Sequence, residues 1–134
     1  MLGTNDMKVG YLAEAVDIAE GARSIVREIR RLHQEIHPDW MPQILLVSPL
    51  LIGEKLRDGQ SGFSESFGGE RAYWLSRELA PLYQQVAYEE GCHFLDAGSV
   101  ASVGTVDALH LEEEGHRDLA AAMEAKVREI FQKV

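Results

Sequence analysis

Cysteine is almost missing from this sequence: Cys92 is the only one among 134 residues. No internal disulfide can form, so the fold must hold by its core, and Cys92 itself reads as a small apolar residue. Basic residues are also scarce. Thirteen Lys and Arg stand against 22 Asp and Glu, a formal charge of −9. That excess repels phosphate backbones, no segment carries a basic stripe to offset it, and nucleic acid is not an expected partner. No run approaches the ~20 apolar residues that span a bilayer. The opening residues, Met1-Leu2-Gly3-Thr4-Asn5-Asp6, lack the basic start and apolar stretch of a secretory leader, so the expected location is cytoplasmic. Compositional bias is lacking too. With 46% hydrophobic and 26% charged residues, the chain reads as one globular domain with a packed core, and it requires no metal, disulfide or cofactor for stability.

What is present is a repeated helical spacing. Ile18, Ala22, Ile25, Ile29, Leu32 and Ile36 recur at intervals of 4, 3, 4, 3 and 4, one stripe of a helix from about Leu12 to Ile36 that Pro38 closes. Ala72, Leu75, Leu79, Leu82 and Val86 repeat the pattern between about Glu70 and Glu90, with Gly91 at the cap position. Leu119, Met123, Val127 and Ile130 mark a third helix from about Glu114 to Gln132. Between these lie two short apolar runs, Gln43 to Ser48 and His93 to Asp96, which read as buried strands. Helices alternating with such strands predict an α/β fold with a parallel sheet and helices on its faces. The stretches Leu50 to Gly69 and Ala97 to Leu111 lack periodicity and read as loops. Both leave carboxyl ends of strands, where open parallel sheets form their ligand crevice.

Two constellations on that rim could carry chemistry. In Asp107-Ala108-Leu109-His110, a carboxylate three residues ahead of an imidazole can fix its tautomer and stabilise its charged form, leaving the second ring nitrogen as a general base. Taken alone, the spacing equally fits a solvated Asp beside a capping or core His. A metal reading would need His116 and Glu112 to Glu114 as further ligands, but Glu residues ahead of a helix more simply complement its positive end. In Gly3-Thr4-Asn5-Asp6, Asn5 at the end of a strand formed by Met1 and Leu2 could donate to a developing oxyanion, whereas the same residues also make an ordinary turn.

Taken together, Leu-Gly-Thr-Asn-Asp, Ile-Leu-Leu-Val-Ser-Pro, Phe-Leu-Asp-Ala-Gly and Val-Asp-x-x-His-Leu-x-x-x-Gly-His resemble, in order and spacing, the SGNH (GDSL) ester hydrolases, and their arylesterase and acyltransferase branch in particular. The resemblance implies a flavodoxin-like three-layer α/β/α fold and a Ser-His-Asp triad. It would make His110 the general base, Asp107 its orienting carboxylate and Asn5 an oxyanion donor, acting on a small-molecule ester. The family's nucleophile belongs to a Gly-Asp-Ser block near the start of its domain, and no such block occurs here. Of the eight serines only Ser48 reads as a substitute on the active rim. The chain thus looks like the C-terminal portion of a hydrolase, as an upstream-truncated gene would give. A non-catalytic interaction module that keeps the fold is the alternative. Leu51, Ile52, Phe63 and Phe67 could wall an acyl or alcohol pocket or else anchor their long loop to the core. Without the central N-terminal strands, an unpaired sheet edge and uncovered helix faces are expected to drive self-association.

Overall fold

The computed structural model describes residues 1–132. The first long helix, α1 (Ala15–Ile36), begins three residues later than its apolar stripe suggests. Leu12 takes a left-handed conformation at the end of a 3-10 turn (Val9–Tyr11), and a capping box of Glu14 and Asp17 sets the start, with the Glu14 amide donating to Asp17 at 3.0 Å. Strand β1 (Leu45–Val47) follows. The stretch expected as a loop contains two single-turn helices, α2 (Glu54–Arg57) and α3 (Ser64–Phe67), ahead of α4 (Glu70–Glu89). Strand β2 (His93–Leu95), the short α5 (Ala97–Val100) and α6 (Glu113–Gln132) complete the order.

The two strands pair in parallel, Leu45 opposite His93, Leu46 opposite Phe94 and Val47 opposite Leu95. They are shorter than the runs that predicted them, because only these residues join the ladder. Alternation across the sheet builds three layers. Leu46 and Phe94 face a core of α1 and α4 that includes Ile18, Ala22, Leu75, Leu79, Tyr83 and Val86. Leu45, Val47 and Leu95 face the opposite side, where Leu119 and Met123 of α6 cover them. Glu90, just beyond α4, takes Arg27 at 2.7 Å and Arg23 at 3.1 Å, tying α1 to α4 at their polar margin. No helix among the described residues is long and apolar enough to cross a membrane.

Both outer edges of this two-stranded sheet are unpaired among the described residues. Among the described residues β1 pairs with β2 alone, and Met1 and Leu2, expected as a strand end, join no ladder. The second half of the α1 stripe is uncovered: Ile25, Ile29, Leu32 and Ile36 are exposed, Ile36 by 70%. Met1, Leu2, Ile25, Ile29 and β1 line an apolar groove of about 150 Å³.

The N-terminal segment is nevertheless anchored. The buried Tyr83 hydroxyl donates to the Leu2 carbonyl at 2.8 Å, and Arg71 of α4 donates to the carbonyls of Met7, at 3.1 Å, and Ala13. Gly3 has φ +118°, and a Cβ there would lie 2.5 Å from the Tyr83 oxygen. Only glycine fits, on both counts. Tyr83→Phe should therefore lower stability by about 1 kcal/mol, the scale of one hydrogen bond. Gly3→Ala should cost more, and adding Tyr83→Phe should recover part of that loss by removing the clashing oxygen. Chemical denaturation of the three variants checks it; strictly additive losses would contradict the contact.

Candidate active site

The turn between α5 and α6 is organised by one carboxylate. Asp107 Oδ1 accepts the amides of Leu109 and His110, both at 2.9 Å, and Oδ2 meets His110 Nδ1 at 2.7 Å. The three-residue spacing works because the two amide bonds wrap the backbone around the carboxylate, an Asx turn that brings the imidazole back onto the second oxygen. Wrapping so tightly forces Ala108 to φ +59°, a conformation that costs a non-glycine residue about 1 kcal/mol. Its methyl group packs where Gly53 leaves room, since a Cβ on Gly53 would approach it to 2.8 Å. The loop closes through the Gly104 amide donating to the His110 carbonyl at 2.7 Å, and Glu112 accepts the Val106 amide at 3.0 Å.

The electrostatics follow from these bonds. Partial burial pushes the Asp107 carboxyl up, but the hydrogen bonds from the His110 amide and ring and from the Leu109 amide outweigh it and bring it to about 2. Asp107 is thus ionised at neutral pH and accepts only. The ring nitrogen facing it carries the proton, which leaves Nε2 as the basic position. The His110 side chain is 65% exposed.

Asn5 and His110 border one open cleft of about 320 Å³, together with Thr4, Leu50, Leu109 and His116. Asn5 sits in a 3-10 turn (Asn5–Met7), held from behind by the fully buried Met7 and by the Arg71 and Tyr83 bonds described above. The four loop residues proposed as pocket walls separate. Ile52 and Phe67 are each only 1% exposed and belong to the main core, so they anchor the loop. Leu51 packs on Gly98. Phe63 alone of the four stands beside the pair, its ring 5.3 Å from that of His110 and nearly perpendicular to it.

Ser48 has no exposed surface, and its hydroxyl donates to Asp96 at 3.1 Å while accepting the Ala97 amide at 3.2 Å. It fastens α5 to the strand ends and does not reach the rim. Burial pushes the Cys92 thiol up, away from the reactive thiolate. His116 reaches the cleft, but Glu112 is turned to the Val106 amide and Glu113 to Arg117 at 2.7 Å. Among the described residues, no three His, Cys, Asp or Glu are grouped to hold a metal. The supports that sequence spacing does not reveal are Arg71, Tyr83 and Gly53. Arg71 and Tyr83 lie on α4 and act on a segment some 60 to 80 residues away.

A carboxyl lowered in the folded state contributes stability that is present above its unfolded value, 3.8, and is lost as pH falls towards about 2. The stability advantage of the wild type over Asp107→Asn should therefore shrink as pH falls from about 4 to about 2. Urea unfolding across that range measures it, and a pH-independent gap would contradict the assignment.

Comparison with solved structures shows what this fold is similar to. The chain superimposes on the Mycobacterium smegmatis aryl esterase with a TM-score of 0.82 and 33% identity. Against a carbohydrate acetylesterase family member from Sinorhizobium meliloti the values are 0.84 and 35%, and against Est24, a carbohydrate acetylesterase from the same organism, 0.83 and 31%. These alignments cover 96–97% of this chain but only 58–59% of those proteins, so the chain spans under three fifths of their length. No family model and no curated protein sequence matches it. With more than 30% identity along nearly its whole length, the chain resembles the greater part, though not the whole, of these esterases and shares their SGNH hydrolase fold.

Proposed function

We propose that these residues carry the acid–base and part of the oxyanion machinery of a serine ester hydrolase acting on small acyl or aryl esters, with the nucleophilic serine supplied by polypeptide outside them. The observation that carries this reading is the 2.7 Å contact of Asp107 with His110 on a cleft that Asn5 shares. Solved neighbours named as aryl and carbohydrate acetylesterases support the ester class.

In the proposed reaction His110 Nε2 takes the serine proton as the serine oxygen attacks the ester carbonyl. The carbonyl electrons move onto oxygen, and the Asn5 side-chain amide donates to that oxyanion. Collapse expels the alcohol, which receives the proton from His110. Water then attacks the acyl-serine with the same proton traffic in reverse, and an acceptor alcohol in place of water would make the reaction acyl transfer. Asp107 stays ionised throughout and stabilises the imidazolium; Phe63 borders the acyl or alcohol moiety. The bare β1 edge and the uncovered α1 face favour association of this chain with other polypeptide, a second copy included.

The 134 residues alone should not hydrolyse p-nitrophenyl acetate above background, because removing the nucleophile removes most of a triad's acceleration. Turnover that His110→Ala abolishes would overturn this and require a serine within the chain. In a protein that joins these residues to a Gly-Asp-Ser block, Asn5→Ala should lower kcat by about 10²-fold, the effect of losing one oxyanion donor. Size-exclusion chromatography with light scattering should find the isolated chain in species larger than 14.9 kDa; a cooperatively unfolding monomer would favour a stand-alone binding module.

A further inference from the structure

Four successive carbonyls of the turn that carries the acid–base pair are held by one distant loop. Lys55 Nζ donates to those of Thr105, at 3.3 Å, and Val106, at 2.5 Å. Ser61 Oγ donates to that of Asp107 at 2.6 Å, and the Gly53 amide to that of Ala108 at 2.9 Å. A helix or strand would satisfy such carbonyls locally. This turn cannot, because it is wrapped around a carboxylate with Ala108 in a left-handed conformation.

Among these donors Ser61 is placed differently. Its hydroxyl is buried and does two things at once: it donates to the backbone of Asp107 and accepts the amide of Phe63 at 3.2 Å. Asp107 holds one side of the His110 imidazole through Nδ1, and the Phe63 ring lies edge-on to the same imidazole. A single hydroxyl therefore sets both neighbours of the ring.

We propose that Ser61 is a positioning residue for the Asp107–His110 pair, its buried hydroxyl fixing the Asp107 backbone and Phe63 relative to each other so that carboxylate and ring hold the imidazole between them. The inference rests on the functional reading only in treating that pair as acid–base machinery. Loss of the hydroxyl leaves the Asp107 carbonyl and the Phe63 amide without this partner and lets the strained turn relax. The carboxylate then meets the imidazole less well and stabilises its charged form less. The other charged groups near this turn bond to other atoms of it: Lys55 holds the Thr105 and Val106 carbonyls, and Glu112 holds the Val106 amide; His116 lines the same cleft as His110.

The test uses the chain itself and needs no turnover. Carbethoxylation of His110 by diethyl pyrocarbonate is followed from pH 5 to 8 by tandem mass spectrometry at micromolar concentration, with His116 as internal reference. In Ser61→Ala the midpoint of the His110 rate–pH profile should move to lower pH by about half a unit, the effect of a weakened carboxylate partner. Ser61→Thr, which keeps a hydroxyl, should restore it. Ser64→Ala is the structural control, because Ser64 accepts the Ser61 amide at 3.2 Å and donates to the Leu56 carbonyl at 2.8 Å in the same loop without touching Asp107; the midpoint should stay in place. Ser61→Cys, which keeps the volume but donates weakly, should shift the midpoint like alanine and serves if alanine unfolds the chain. An unmoved midpoint in Ser61→Ala or Ser61→Cys, or an equal shift in Ser64→Ala, would overturn the proposal. Either result would leave the esterase reading intact, just as an inactive completed hydrolase would leave this coupling intact.

Discussion

The Asp107 carboxylate is the constraint on which the site depends. One oxygen takes two backbone amides and the other takes the His110 ring, so a single side chain both folds the turn and orients the imidazole. These two roles reinforce each other. The amide bonds lower the carboxyl to about 2, which keeps it an acceptor at any pH where the imidazole could act, and the acceptor in turn dictates which ring nitrogen holds the proton. The left-handed Ala108 is the backbone consequence, and the absence of a side chain at Gly53 is what makes room for it.

The same economy governs the opposite wall of the cleft. Asn5 belongs to no long element, yet its segment is tied down by Tyr83 at Leu2 and by Arg71 at Met7 and Ala13. Both anchors stand on α4, which packs against α1 and under the sheet. A rigid helix thus presents a short irregular segment, the usual division of labour between scaffold and functional loop. The contrast lies on the bare side of β1, where apolar α1 residues and a strand edge meet solvent. A fold that buries its main core between α1 and α4, and leaves that flank open, has a surface suited to further polypeptide.

The sequence made some of this legible and hid the rest for physical reasons. The stripes of α4 and α6 gave their limits within a residue or two, because burial along one face leaves a 3.6-residue period. The start of α1 was hidden: the Glu14–Asp17 box and the left-handed Leu12 are local backbone choices that periodicity does not register. The Asp107–His110 contact was legible because an Asx turn is a short-range device, whereas for Ile52 and Phe67 the sequence left pocket wall and core anchor equally open, and tertiary packing buries both. Met1 and Leu2 read as a strand end, yet they join no ladder although the free edge of β1 lines the same groove. Ser61, Arg71 and Tyr83 act across long sequence separations, and no spacing rule singles them out.

The central claim is that these residues hold the base, its carboxylate and an oxyanion donor for a serine located elsewhere. It is tested most directly by completing the domain: the Gly-Asp-Ser-bearing N-terminal portion of an SGNH acetylesterase is joined ahead of Met1, and p-nitrophenyl acetate hydrolysis is measured. The account predicts that the folded chimera turns over and that either His110→Ala or loss of the added serine abolishes the activity. A folded, monodisperse chimera that remains inactive, or one whose activity survives His110→Ala, would contradict it.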